Sequence, residues 1–98
     1  MTPSQFRLIR QVIGHSVASL ALYFHVAERS IRRWEAGRSP IPNEIAETMA
    51  ELDAESNRRA IALSLEGSSH VPEDDYLRGI VSRAYCIATA NGKRFRVT

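Results

Sequence analysis

The stretch that decides the fold runs from His15 to Gly37 and reads HSVASLALYFHVAERSIRRWEAG. Ser16 suits the N-cap of a helix over Val17–Phe24, in which Leu20, Ala21 and Phe24 form an inward stripe. His25-Val26-Ala27 is too short for anything but a tight turn. A second short helix follows, from Glu28 to about Ala36, with Ile31 and Trp34 on its buried side. Gly37 then stands where a helix favours a left-handed C-terminal residue. Helices so joined must cross closely. Ala21 supplies the small residue at the crossing, and Val26, Ile31 and Trp34 lock the second helix onto the first. The opposite face of the second helix carries Glu28, Arg29, Arg32 and Arg33, with 28/32 and 29/33 each one turn apart.

Upstream, Thr2 or Ser4 can cap a first helix whose Phe6, Ile9, Val12 and Ile13 share one face before Gly14 stops it. Downstream, Arg38-Ser39-Pro40-Ile41-Pro42 is held extended by its prolines, and Pro42 suits the first turn of a fourth helix. No Pro or Gly interrupts Asn43 to about Leu65, where Ile45, Met49, Leu52, Ile61 and Leu65 are apolar. The apolar spacing weakens around Asp53–Asn57, so this is one long helix or two with a break there. Gly67-Ser68-Ser69-His70 reads as a linker. Pro72-Glu73-Asp74-Asp75 opens a further helix with acids at its positive end, and that helix stops near Asn91-Gly92. Cys86, among Ile80, Val81, Ala84 and Ala88, reads as a buried small hydrophobe. Lys93–Thr98 alternates charged and apolar residues, as a short strand or a loose tail would.

A chain of 98 residues has room for one small domain, or for a minimal headpiece with a dimerisation tail. No run of about 18 apolar residues exists to span a membrane. Met1–Gln5 lacks the basic-then-apolar layout of a secretory signal, so a cytoplasmic protein is expected. One cysteine excludes an internal disulfide, and His15, His25 and His70 are too scattered for a zinc site. No nucleophile–base pair or phosphate-cradling glycine loop appears, so neither an enzyme nor a cofactor or metal is expected. Net charge is only +2, but its distribution is uneven. Residues 1–40 carry six arginines against two glutamates, whereas residues 41–66 carry six acids against two arginines. A basic N-terminal block beside an acidic segment suits one face for a polyanion and another turned from it.

The His15–Gly37 stretch resembles the core of the lambda-repressor-like (Xre, Cro and cI type) helix-turn-helix family. Ser16, Leu20, Ala21, Val26, Ile31, Trp34, Glu35 and Gly37 match that family's pattern. Three positions depart from it. Val17 stands where the family often has Gln, His25 where Gly usually opens the turn, and Ala27 where Ser or Thr usually caps the second helix. The resemblance covers about residues 3–65 and implies an all-α, lambda-repressor-like helix-turn-helix bundle of four to five helices. Residues 1–65 would be the DNA-binding domain, and residues 66–98 a C-terminal helical dimerisation extension that packs on the Asn43–Leu65 helix, in cis or across a dimer, and ends in a tail or short strand. It further implies an ion pair between Arg10 and Glu35 that ties the first helix to the end of the recognition helix.

In that frame Glu28, Arg29, Arg32 and Arg33 are the base-reading candidates. Arg29 and Arg33 can bond guanine O6 and N7 in bidentate fashion, and Glu28 can accept from cytosine N4 or simply favour the helix N-terminus. Ser16, Ser30, Arg38, Ser39 and Arg7 are the candidate phosphate contacts. The function implied is a sequence-specific regulator of double-stranded DNA, a homodimeric repressor on an inverted repeat, its own promoter included. The WEAGRS stretch and the acidic helix after it are similar to anti-CRISPR-associated autoregulators. The alternative is an antitoxin or other interaction module whose C-terminal region binds a partner protein, with DNA binding secondary.

Overall fold

The computed structural model describes residues Met1–Thr98 as five helices and one pair of two-residue strands, an all-α fold. Helix α1 (Pro3–Val12) begins with a reciprocal cap: the Thr2 hydroxyl accepts from the Gln5 amide and the Gln5 side chain accepts from the Thr2 amide. Its Phe6 is fully buried, and the ring meets Trp34 edge to face at 5.9 Å between centroids. Ile13 is buried too, whereas Val12, expected on the same face, is exposed. Helix α2 (Val17–Phe24) starts at Ser16, whose hydroxyl accepts from the Ser19 amide at 3.0 Å. It stops at His25, which adopts the left-handed conformation (φ 55°, ψ 43°) and returns its amide to the last turn.

Helix α3 (Glu28–Glu35) lacks a side-chain cap at Ala27 and is held instead by burial of Ile31 and Trp34. Helix α4 (Asn43–Glu66) is a single unbroken helix of 24 residues, with Pro42 at its N-cap rather than within its first turn. The strand pair joins β1 (Ser68–Ser69) in parallel to β2 (Arg96–Val97), so the expected linker contains a strand and the tail is pinned to it. Helix α5 (Asp75–Ala90) is capped by Asp74, which accepts from the Leu77 amide at 3.0 Å. No helix is long and apolar enough to cross a membrane.

Two cores share α4. Its N-terminal half closes a cluster of Phe6, Ile13, Leu20, Ala21, Ile31, Trp34 and Met49. Its C-terminal half packs on α5 through Ala60, Ile80, Val81, Ala84 and Ala88, and Phe95 completes that cluster from the tail. Tyr76 touches both clusters. Where apolar spacing weakens, α5 reaches across with polar groups instead. The Tyr76 hydroxyl donates to the Leu52 carbonyl at 3.2 Å, and Arg83 bonds the Asp53 carbonyl at 2.9 Å and its carboxylate at 2.7 Å. These bonds hold α5 against the polar stretch of α4, which runs without a break. Cys86 is exposed, not buried: Ala84 and Ala88 define the inward side of α5, and position 86 falls opposite them.

Residues 66–98 thus fold back on their own chain. Gly14 (φ +89°) lies against Gly79, and a Cβ on either would overlap backbone of the other's segment. The first turn of α5 therefore rests directly on the α1–α2 corner.

Candidate nucleic-acid interface

The outward face of α3 is where the sequence places its charge, and the fold leaves that face open. Glu28, Arg29, Arg32 and Arg33 are all exposed. Together with Arg38, just beyond Gly37, the three α3 arginines line one shallow recess. Arg32 forms a 3.4 Å ion pair with Glu28 one turn away, an exposed contact of small energetic value. Arg29, Arg33 and Arg38 form no ion pair at all. A group of cations without internal counter-charge is a standing attraction for a polyanion.

The buried face of α3 is anchored as firmly as the other is free. Ile31 is fully buried and Trp34 nearly so. The last residue, Glu35, is gripped by Arg10 of α1: Nε donates to Oε2 at 2.6 Å and Nη2 to Oε1 at 3.0 Å. The remaining guanidinium nitrogen donates to the His15 carbonyl at 3.1 Å. One arginine therefore ties α1, the α1–α2 corner and α3 together. Both side chains are only about a tenth exposed, at 12% and 11%, so the pair is largely withdrawn from solvent screening. At the turn, the Val26 amide bonds the Ala21 carbonyl at 3.0 Å and its side chain packs on the first core. These contacts fix the angle between α2 and α3.

The other expected contacts divide. Ser39 borders a neighbouring hollow shared with Arg38, Gly37 and the start of α1, so the loop extends the basic recess. Ser30 is half-buried on α3. Arg7 is exposed on α1 and lines neither hollow. Ser16 is exposed at the N-cap of α2. Its hydroxyl is engaged with Ser19, and its amide faces the Asp75 carboxylate at 3.5 Å. The anion at the positive end of α2 is the chain's own, supplied by α5.

That corner has its own chemistry. The His15 ring bonds Ser19 Oγ through Nδ1 at 2.8 Å and lies 6.0 Å from both Tyr23 and Tyr76. Burial pushes the His15 pKa down, against the opposing pull of Asp74 and Asp75. Hydrogen bonds from Ser19 and from the Ser16 backbone hold the Asp75 carboxyl below the ordinary carboxylate range. Asp74 and Asp75 thus serve helix ends rather than forming an acidic site. Sequence reasoning missed this junction; the one signal for it was Gly79, a glycine within a helix. Among known proteins, neither a family model nor a curated protein matches this chain.

Proposed function

We propose that this chain is a sequence-specific, double-stranded-DNA-binding regulator of the helix-turn-helix type, similar to lambda-repressor-like proteins. In this reading α3 enters the major groove and α2 crosses the backbone. The observation that carries it is the pairing of opposites on α3: an anchored inner face and an outer edge on which Arg29 and Arg33 have no ion pair. Arg29 and Arg33 read base edges, with Glu28 and Arg32 beside them, while Arg38 and Ser39 grip phosphate. A homodimer on an inverted repeat would place two such helices one DNA turn apart, about 34 Å, and repress by occluding a promoter. The competing reading, a module binding a protein through residues 66–98, has less support, because the apolar face of α5 is already covered by α4.

The deciding experiment is selection of bound fragments from random duplex DNA at several stated salt concentrations. An inverted repeat should emerge, with half-site centres one helical turn or a multiple of it apart. Recovery of no preferred sequence, or of single-stranded RNA from a parallel pool in its place, would remove the proposal.

A further inference from the structure

A second group of unpaired cations lies on the other half of the molecule. Residues 76–98 contain five basic side chains and no Asp or Glu. Two of the five are engaged: Arg83 bonds Asp53, and Arg78 bonds the Pro72 and Glu73 carbonyls at 2.8 and 2.9 Å. Lys93, Arg94 and Arg96 are exposed and form no ion pair. The backbone that carries them is held in place. The Lys93 amide bonds the Ala88 carbonyl at 2.8 Å, the Arg96 amide bonds the Gly67 carbonyl at 2.9 Å, and Phe95 is buried in the second core. Lys93 and Arg94 border an open hollow of about 400 Å³ with Tyr85 and Thr89 of α5, and Arg96 follows on β2.

We propose that Lys93, Arg94 and Arg96 form a second DNA contact, which grips backbone phosphates and reads no base. Guanidinium groups meet phosphate oxygens in bidentate fashion and an ammonium meets them as a point charge, while the hydroxyls of Tyr85 and Thr89 add donors on the same rim. With no carboxylate side chain in the segment, nothing of its own competes for these cations. Because the backbone is already pinned, binding need not order a loose tail. The cations stand on a turn and a two-residue strand, not on a helix that could enter a groove, which suits phosphate contact rather than base readout. The hollow shares no residue with the α3 recess. From its first turn on the α1–α2 corner, α5 extends about 24 Å along its axis before this segment begins. A contact here therefore adds affinity and salt dependence without adding sequence preference.

This inference rests on the reading above only for the choice of duplex DNA as the polyanion. The test uses the full chain, a selected duplex and a shuffled one across a salt series. Replacing the three cations together, as Lys93→Gln, Arg94→Gln and Arg96→Gln, should lower the salt slope by about 2.7 units on both duplexes. Between about 50 and 200 mM salt the wild type should then lose about fortyfold more affinity than the variant. If a duplex is preferred but the triple variant keeps the wild-type slope, this contact is wrong and the α3 reading stands. If no duplex is preferred but the triple variant still lowers the slope, the α3 reading is wrong and this contact stands. Amide NMR on the wild-type chain covers a triple variant that fails to fold, and it separates contact from a general loss of net charge. At low salt the shuffled duplex should shift the signals of residues 92–96 together with those of Tyr85 and Thr89. Signals there that stay in place, or that move with polyglutamate and not with duplex, would overturn the contact.

Discussion

The two halves of this molecule solve the same packing problem with different materials. The core over α1–α3 is built mostly from large side chains, Phe6, Ile13, Leu20, Ile31 and Trp34 with Met49 of α4, around the one small residue Ala21. The core between α4 and α5 sets Ile80, Val81 and Phe95 among the small residues Ala60, Ala84 and Ala88, with Gly79 against the α1–α2 corner and Arg83 and Tyr76 bonded to α4. Large residues specify geometry by shape. Small ones permit close approach and leave register to be set by a few polar contacts. The candidate site sits on the half whose geometry is specified by shape, as positioning a reading helix requires.

The sharpest way to break that comparison is to attack the largely buried ion pair that ties α1 to α3 in the first half. Arg10→Ala should leave Glu35 buried without its partner and cost about 3–5 kcal/mol, measured by urea denaturation. Next, Gly79→Ala should push α5 off the α1–α2 corner at a cost of about 1–3 kcal/mol. Amide exchange should then accelerate in α5 more than in α1–α3; uniform acceleration would mean the halves are a single cooperative unit. In the opposite direction, Ala27→Ser should supply the missing cap of α3 and stabilise by about 1 kcal/mol.

The smallest expected effect is a pH dependence at the junction of the halves. His15 has its pKa lowered by burial in the folded state, so the unfolded chain binds the proton first as pH falls. Its contribution is complete above about pH 6.5 and declines below that value, toward the depressed folded pKa. His15→Gln should flatten the melting temperature across that window. A slope unchanged by the substitution would assign it to other groups.

The difference between the halves also explains what could be read from the residues alone. Helix α3 was legible because Ile31 and Trp34 mark its inner side and Arg29 and Arg33 its outer side within eight residues. The exposure of Arg29, Arg32, Arg33 and Arg38 follows from that local pattern. In the second half the decisive contacts are remote. Asp75 reaches Ser16 across 59 positions and Arg83 reaches Asp53 across 30, and no local periodicity announces either. Alanine and cysteine are also ambiguous markers of burial, so Cys86 reads as core until Ala84 and Ala88 claim the inner side. In Lys93–Thr98, Phe95 turns in and Val97 turns out, and only the β1 pairing decides which. At Ser16 the neighbour that α2 alone does not announce is Asp75 of α5, whose carboxylate faces the Ser16 amide.

The most direct test of the central claim compares wild type, Arg33→Ala and Arg38→Ala on a selected duplex and a shuffled one across a salt series. Arg33→Ala should cost about 1–3 kcal/mol on the selected site and relax preference at one base pair. Arg38→Ala should weaken both duplexes alike and lower the salt slope by about one unit. If Arg33→Ala leaves affinity and preference intact, α3 is not the reading helix and the account fails.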